Sequence, residues 1–348
     1  MKRILSTIVC ALCLAGTLLA GNPDRQGEAG AYELLLTPWA RTAGLNGLNV
    51  SFVSGLESIR MNPAGIARLK GSEAILSHTR YFEGTDISIN AAGYATKSGE
   101  SGGFAIAIEA LDFGEIPVTT VNAPEGTGGE FRPLFLNVAL SYAKNFNDRI
   151  YVGVTGRFIS QSISELSAVG FALDAGVQYV TGDRQNFKFG VALKNFGTPM
   201  KFSGQGLAFD EVVEGNNGSI DVTFDQQAKE FELPSQLNIG FSYDVYAAQV
   251  NRISFMGSFI ANTFALDQLG GGIEYSFKET FMVRASYKVD LGDPDIEGFS
   301  NVYTGLALGA SVDVPFKKES ASRIGIDYAY RTTNPFNGTH NLGVRFTL

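Results

Sequence analysis

Strict alternation of apolar and polar residues recurs along most of this chain and constrains its fold more than any other feature. In the segment 321–331, Ile324 and Ile326 share one face, while Arg323 and Asp327 share the other. Most such segments are about ten to thirteen residues long, enough for a tilted strand to cross a bilayer and longer than an average soluble strand. The pattern predicts an all-β fold, a fourteen-stranded antiparallel transmembrane β-barrel with its apolar face toward outer-membrane lipid. The predicted strands are 72–82, 85–96, 102–111, 134–144, 149–160, 168–180, 186–196, 234–245, 251–262, 268–277, 280–290, 301–314, 321–331 and 338–348.

The chain ends on one of these alternating segments. Asn341, Gly343, Phe346 and Leu348 stand in the spacing of a C-terminal signal that the barrel assembly machinery reads in outer-membrane β-barrels. The resemblance makes that machinery an expected partner during biogenesis. A terminal strand that matches the signal by chance is the alternative.

The first twenty residues predict a secretory signal peptide. A basic start at Lys2 and Arg3 precedes an apolar run from Ile4 to Ala20 that is short and rich in small residues. An N-terminal anchor helix is the alternative, and it would need a longer run. Both cysteines, Cys10 and Cys13, fall within this segment. The mature chain is therefore expected to have neither a disulfide nor a thiolate metal site.

Charge and loop lengths add two further expectations. The formal net charge is −8 and only 18% of residues are charged, a composition that argues against nucleic acid as a partner. Short turns alternate with connections that include the longest loops, 112–133 and 197–233. This sorting is typical of outer-membrane barrels, whose short turns face the periplasm. The second long loop supplies apolar candidates for binding a partner: Phe202, Leu207, Phe209, Val212, Phe224 and Phe231.

Residues 21–71 precede the first predicted strand and do not alternate. The segment is partly apolar, and a fourteen-stranded barrel encloses a lumen that needs filling. We expect residues 21–71 to form a plug inside a barrel made by residues 72–348. A periplasmic arm that docks another protein is the alternative.

The segment 21–71 contains several short motifs, whose residues are Arg41, Ala43, Gly44, Gly47, Asn62, Pro63, Ala64 and Gly65. Taken in order, and together with the stretches 111–118 and 194–197, these motifs resemble the PorV/PorQ family of Bacteroidetes-type outer-membrane proteins, which is related in fold to the FadL fatty-acid transporters. Leu45 and the pair Arg60-Met61 depart from the usual pattern of that family, which puts the subfamily in doubt more than the fold.

The resemblance implies a FadL-like barrel in the outer membrane of a Gram-negative bacterium and a role in type IX protein secretion. PorV-like members receive secreted cargo proteins and carry them to the attachment complex, whereas PorQ-like members anchor the surface part of that complex. FadL-like relatives instead move hydrophobic small molecules. The motifs do not choose among these three roles.

The sequence shows no clear catalytic or metal-binding pattern, so we expect neither an enzyme nor a protein that binds a cofactor. Ser77 and His78 are adjacent on a predicted strand, so they face opposite sides. The acidic loop 290–298 has oxygen ligands at alternate positions, but its spacing is not that of an EF-hand, and a solvated loop is the expected state. Charged residues of both signs would point into the lumen, where pairing with each other and with the plug is favoured over a solute channel.

Two functional hypotheses follow. The first is a non-enzymatic component of type IX secretion whose surface loops bind secreted cargo or attachment-complex proteins. The second is a FadL-like transporter of hydrophobic small molecules, which would need an apolar pocket near the loops.

Overall fold

The computed structural model describes residue 25 and residues 27–215, 218–247, 250–292, 302–316, 322–333 and 336–348. The predicted signal peptide lies outside these residues. In chain order the strands are β1 (Ser72–Arg80), β2 (Ser88–Ser98), β3 (Gly102–Asp112), β4 (Ile116–Pro117), β5 (Glu130–Phe131), β6 (Leu134–Asn147), β7 (Ile150–Ile163), β8 (Leu166–Thr181), β9 (Phe187–Gly197), β10 (Ala208–Gly215), β11 (Gly218–Asp225), β12 (Gln236–Ala247), β13 (Asn251–Asn262), β14 (Asp267–Phe277), β15 (Phe281–Leu291), β16 (Gly305–Pro315), β17 (Arg323–Arg331) and β18 (Thr339–Thr347).

Fourteen of these strands close into one antiparallel barrel, which confirms the predicted fold class. Each strand pairs with its neighbours around the ring, and β1 closes it by pairing with β18, from Glu73 opposite Thr347 to Arg80 opposite His340. The predicted strand boundaries agree with the structure within a few residues. The strand predicted at 301–314 is the largest difference, because it begins at Gly305.

Alternation sorts the side chains of the barrel into two environments. In β3, Phe104, Ile106 and Ile108 are nearly half exposed on the outside, while Ala105 and Ala107 are buried against the interior. The outer surface is thus apolar, as expected where a barrel meets lipid. The inner surface carries the small and polar residues.

The two rims differ in their connections. The turns at 99–101, 182–186 and 278–280 lie on the rim where the chain ends. The opposite rim carries the long loops, which contain two small sheets that alternation did not predict: β4 paired with β5, and β10 paired with β11. Two connections on that rim are short, since residues 164 and 165 join β7 to β8 and residues 263–266 join β13 to β14.

Residues 27–70 are mostly buried and pack against inward-facing residues of the barrel, and we call this segment the plug. It contains two short helices, α1 (Ala40–Ala43) and α2 (Ser58–Met61), and 3₁₀ turns at Tyr32–Leu35 and Pro63–Arg68. Its apolar side chains, including Trp39, Leu56 and Ile59, are fully buried and pack on alanines of β2, β3 and β6. No helix among the described residues is long and apolar enough to cross a membrane.

Glycines on the inner wall receive the plug, and we call this set the glycine belt. A Cβ atom on Gly176 would lie 2.0 Å from the Asn62 side-chain oxygen, and one on Gly309 would lie 3.2 Å from the Cα of Gly44. The Asn62 side chain thus leaves no room for a Cβ atom at residue 176, and the Gly44 backbone leaves little room for one at residue 309. The belt consists of Gly93, Gly103, Gly153, Gly176, Gly190, Gly240, Gly270 and Gly309.

Candidate functional site

The plug leaves one cavity on each of its sides. The upper cavity, toward the long loops, has a volume of about 660 Å³, and the lower cavity, toward the short turns, has about 640 Å³. Asn46 and Gly47 of the plug line the upper cavity, whereas Leu45 and Asn49 line the lower one. A single turn of the plug thus separates the two spaces.

Apolar side chains form most of the upper cavity wall. Phe113 and Phe135 meet edge to face with ring centroids 4.9 Å apart, and Phe202 and Phe231 lie 5.8 Å apart. Leu36 of the plug lies in the same wall. Aromatic walls of this kind contribute large apolar contact areas to a ligand.

Four basic residues reach the same cavity from its floor and side. Arg60 comes from the plug, and Lys194, Lys288 and Arg331 come from β9, β15 and β17. All four are buried. Glu33 is the acidic residue of this cavity lining, so basic residues outnumber acidic ones by four to one.

These basic residues differ in how their charge is compensated. Arg60 donates to the Leu36 carbonyl at 2.8 Å and lies 3.4 Å from the Glu109 carboxylate. Lys194 and Lys288 have no carboxylate within 4.0 Å among the described residues. Burial of a charge without a partner is unfavourable, so these two ammonium groups are places where an anion would be stabilised.

A β-bulge brings Asn195 to the inner face beside Lys194. The register between β8 and β9 shifts between Leu173 and Ala175, and Asn195 has a positive φ of 57°. Lys194 faces inward by the ordinary alternation of β9, and the bulge turns Asn195 inward as well, although adjacent residues of a regular strand face opposite sides. The backbone N–H of Asn195 donates to the Asp174 carboxylate at 2.6 Å and holds the bulge in place.

An aromatic group holds Arg331 at the side of the upper cavity. Its guanidinium carbon lies 3.5 Å from the centroid of the Tyr303 ring, a cation–π contact. The Tyr303 hydroxyl is hydrogen-bonded to the Thr339 hydroxyl at 2.9 Å, and the Tyr81 ring lies 6.0 Å from the Tyr303 ring. Burial raises the pKa of both Tyr81 and Tyr303, so both phenols stay neutral.

Glu33 is the acidic residue of the plug that lines the upper cavity. Its carboxylate accepts hydrogen bonds from the Gln161 amide at 2.9 and 3.1 Å, and Arg60 is a nearby positive charge. Burial nevertheless outweighs both and raises the pKa of the Glu33 carboxyl above 4.5. The negative charge in this cavity therefore depends on pH.

The plug motif residues are placed at the contact between plug and wall. The Asn62 amide donates to the carbonyls of Val177 on β8 and Val191 on β9, at 3.0 and 3.3 Å, and its oxygen accepts from the Ala64 amide. Arg41 lies 3.1 Å from Glu57 and 3.5 Å from Glu73.

The remaining motif residues are small and close-packed. Gly44 lies against Gly309, Gly65 against the Val53 carbonyl, and Pro63 against Gly153. Ala43 and Ala64 are fully buried, and Gly47 has a φ of 73° where the chain turns beside the upper cavity.

The four residues of the expected assembly signal lie on β18 or directly after it. Asn341 is buried, and its amide donates to the Thr79 hydroxyl at 2.6 Å. Gly343 faces the plug, where a Cβ atom would lie 3.6 Å from that of Ala40. Phe346 and Leu348 are exposed.

The six partner-loop candidates fall into two groups. Phe202 and Phe231 are half-buried and line the upper cavity, and Leu207 is half-buried at the base of the β10–β11 hairpin. Phe209, Val212 and Phe224 are exposed on that hairpin, with Phe209 stacked on Phe224 at 5.6 Å.

The structure brings together no catalytic or metal-binding group in the part of the chain that it describes. Ser77 is buried and donates to the Pro38 carbonyl at 2.6 Å, whereas His78 faces outward and pairs with Asn90. No group of three or more metal-ligating side chains occurs among the described residues. Of the acidic loop 290–298, residues 293–298 lie outside the described residues.

Sequence reasoning placed Lys194, Lys288 and Arg331 inside the lumen but did not relate them to a cavity. It missed Glu33, Tyr81 and the glycine belt altogether. The glycine belt could have been recognised from inward-facing glycines that lie opposite each other on neighbouring strands. Gly153 pairs with Gly176, and Gly190 pairs with Gly240.

Comparison with solved structures relates the fold to known channels. A deletion variant of TodX, a monoaromatic hydrocarbon channel, matches with a TM-score of 0.60 at 13% identity and covers 88% of this chain and 98% of its own. The Ralstonia pickettii toluene transporter TbuX matches with a TM-score of 0.56 at 13% identity, covering 89% and 97%. A Pseudomonas aeruginosa FadL homologue matches with a TM-score of 0.51 at 11% identity, covering 88% and 96%.

No protein-family model matches the chain, and no curated protein does. The architecture and the structural neighbours define a closed fourteen-stranded β-barrel with the fold of FadL-type channels. At these identities the similarity concerns the fold. The closer resemblance to PorV/PorQ proteins stays a hypothesis.

Proposed function

We propose that the protein is an outer-membrane channel for hydrophobic small molecules and that its upper cavity binds ligands with an apolar body and an anionic head. The observation that carries this proposal is the pairing of aromatic walls with buried basic residues in one cavity of about 660 Å³. Cavities of this volume are typical of sites that enclose a small organic ligand.

The positions of the basic and aromatic residues in the upper cavity indicate the orientation of a bound ligand. The aromatic pairs, including Phe113 with Phe135, lie on the side of the long loops, and Lys194 reaches the floor beside the plug. A carboxylate at the floor would compensate Lys194 and Lys288, while the apolar body would lie along the rings. Such a ligand could enter from the long-loop rim with its head toward the plug.

The structural neighbours support the channel part of this proposal. TodX and TbuX are described as hydrocarbon and toluene transporters. An uncharged hydrocarbon would leave Lys194 and Lys288 without a counter-charge, which is why we favour an amphipathic acid for this chain.

Binding of labelled decanoate, decanol and toluene to the detergent-solubilised barrel tests the proposal. Decanoate should bind more tightly than decanol, and Lys194→Gln and Lys288→Gln should each remove most of that difference. Lys201→Gln is the matched control, since Lys201 is an exposed lysine on the same rim and lies outside the cavity lining. Equal affinity of the unaltered protein for decanoate and decanol would refute the anionic-head assignment, and no binding of any of the three would refute the channel function.

A second candidate function, in type IX secretion, is favoured by the β10–β11 hairpin. Phe209, Val212 and Ile220 are 49%, 59% and 64% exposed on a two-stranded sheet that does not join the barrel. Exposed apolar side chains grouped in this way are typical of protein-binding surfaces. Secreted cargo or attachment-complex proteins would be the partners.

Removal of the hairpin separates the two functions. The hydrogen bond from the Gln226 amide to the Leu207 carbonyl, at 3.0 Å, joins the two ends of the hairpin, so residues 208–225 can be replaced by a short Gly-Ser linker. Loss of a co-purifying surface protein with unchanged decanoate binding would support the secretion role. Identical protein recovery with and without the hairpin would contradict it.

A further inference from the structure

The lower cavity is a second enclosed space that the channel proposal does not use. It opens toward the short-turn rim, and its lining includes Asn145, Arg184 and Glu279 from that rim. We propose that the lower cavity binds a small hydrophilic polyanion, a molecule that carries two or more carboxylate or phosphate groups.

The first argument is the charge of the lining. It contains seven basic residues and four acidic residues, although the whole chain has a formal net charge of −8. A cleft lined by one sign of charge concentrates ions of the opposite sign. The basic residues are Arg41, Arg68, Lys70, Arg184, Lys188, Arg252 and Arg284.

The second argument is that the carboxylates are already paired. Glu57 lies 3.1 Å from Arg41, and Glu274 lies 2.6 Å from Arg284. Glu279 lies 2.9 Å from Arg252. The fourth, Asp244, is paired with Lys188 and accepts a hydrogen bond from the Ser254 hydroxyl at 2.7 Å.

The surplus positive charge lies on three residues. Arg68, Lys70 and Arg184 have no carboxylate within 4.0 Å among the described residues. Arg68 uses only one nitrogen, donating at 3.3 Å to the Phe52 carbonyl and to the Gln178 side chain. Its other guanidinium N–H groups keep the planar fork that binds carboxylate and phosphate oxygens.

The neighbouring aromatic rings hold these guanidinium groups without neutralising them. Arg68 lies 5.9 Å from the centroid of the Tyr151 ring, and Arg184 lies 5.3 Å from that of Tyr246. Both rings also line the cavity. The half-buried Arg68 and the exposed Arg184 thus present cationic donors to a space of about 640 Å³, the size of a small-molecule site.

The polar lining of the lower cavity argues against the ligands with an apolar body that are proposed for the upper cavity. The wall of the lower cavity is formed mainly by charged residues and by polar residues such as Asn49, Asn145 and Gln185, whereas the upper cavity is formed mainly by aromatic and aliphatic residues. A hydrophilic anion with no apolar tail fits this lining.

Titration calorimetry of the detergent-solubilised full barrel with citrate and with pyrophosphate tests the proposal. At least one of the two should bind saturably at one site, and affinity should fall as salt screens the charges. Arg68→Gln and Arg184→Gln should each weaken binding about tenfold or more, since charge-assisted hydrogen bonds are the strong ones. The probe that binds more tightly shows whether the cavity prefers carboxylate or phosphate groups.

Lys97→Gln is the matched control. Lys97 is an exposed lysine of β2 near the short-turn rim and does not line the lower cavity, so its loss removes the same charge without touching the site. Mobility of the unboiled barrel on a gel establishes that each variant is folded. The proposal is overturned if neither anion binds the folded protein or if Lys97→Gln weakens binding as much as Arg68→Gln does.

This result is independent of the proposed channel function. Lys194→Gln alters the upper cavity alone, so it should leave citrate and pyrophosphate binding unchanged. An equal loss of pyrophosphate binding in Lys194→Gln would place the anion in the upper cavity and would contradict the proposal.

Discussion

Pro63 of the plug lies so close to Gly153 of β7 that a Cβ atom at residue 153 would be 2.4 Å from the Pro63 carbonyl carbon. The two backbones touch with no side chain between them. Contacts of this kind fix the height and the rotation of the plug, since neither partner can be enlarged without moving the other.

Gly153→Ala should therefore destabilise the folded barrel, whereas Gly156→Ala should not. Overpacking of a close-packed site costs about 1–3 kcal/mol, and here the obstacle is backbone. Gly156 lies on the same strand and faces outward, and a Cβ atom there meets nothing within 4 Å. The temperature at which the unboiled gel form is lost reports the difference. A similar shift for both variants would show that the loss of a strand glycine alone is responsible.

Phe346→Asp should reduce the yield of folded barrel, and Asn337→Asp should leave it unchanged. Phe346 is exposed on the outer face of β18, opposite Ala74 of β1, where the barrel closes. A charged residue on the lipid face costs up to about 2–4 kcal/mol at mid-membrane depth and less near an interface. Asn337 lies in an exposed turn. The amount of folded barrel in membrane fractions should be measured for both variants. Equal amounts would argue against an outward, lipid-facing Phe346.

Cysteines at Ala40 and Gly343 should form a disulfide, which would join plug and wall. A Cβ atom at residue 343 would lie 3.6 Å from that of Ala40, within the range of disulfide geometry. The only natural cysteines are Cys10 and Cys13 in the predicted signal peptide. Cysteines at Ala64 and Gly343 are the control and should not join, because Ala64 adjoins Pro63 at the β7 wall. Gel mobility after oxidation measures both, and failure of the first pair would place the plug elsewhere.

Glu33→Gln should strengthen binding of decanesulfonate, an anion that stays charged at all pH values used. Burial raises the pKa of Glu33, so its negative charge disappears as pH falls through that raised value and the repulsion of the head group disappears with it. Affinity of the unaltered protein should rise on acidification, and that of the variant should be nearly independent of pH. A pH profile that is unchanged by the substitution would exclude Glu33 as its source.

The same ionisation affects folding with a definite sign. Because the folded-state pKa exceeds the ordinary value of 4.5, the protonated carboxyl is favoured in the folded protein. Its contribution to stability is fully present below pH 4.5 and is lost as pH rises through the folded pKa. Glu33→Gln should therefore keep the barrel stable over that interval, as measured by urea unfolding in micelles.

Alternation was sufficient to predict the barrel because the pattern involves only residues that are close together in the sequence. The strand of Arg323, for example, starts two residues from the predicted boundary. The β10–β11 hairpin was missed because its described side chains are mostly exposed on both faces, so no buried face imposes alternation on them. Its exposed residues, such as Val212 and Val213, include adjacent apolar pairs.

The candidate sites depend on contacts between distant parts of the chain, and sequence pattern does not report those. Asn195 points inward beside Lys194 because of a bulge, which shifts the face of one residue without changing composition. Arg68 has no carboxylate within 4.0 Å among the described residues, while Asp244, Glu274 and Glu279 are paired with other basic residues. Neither fact follows from the order of residues along one strand.

The glycine belt also bears on how the barrel closes during assembly. Inward residues recur at every second position of a strand, so a slip of two residues keeps the apolar face outward and leaves the alternation satisfied. Such a slip would, however, move Gly190 or Gly270 away from the plug and bring a neighbouring side chain, such as Lys188 or Gln268, to the same height. The plug therefore fits only into a barrel whose strands are paired in the correct register.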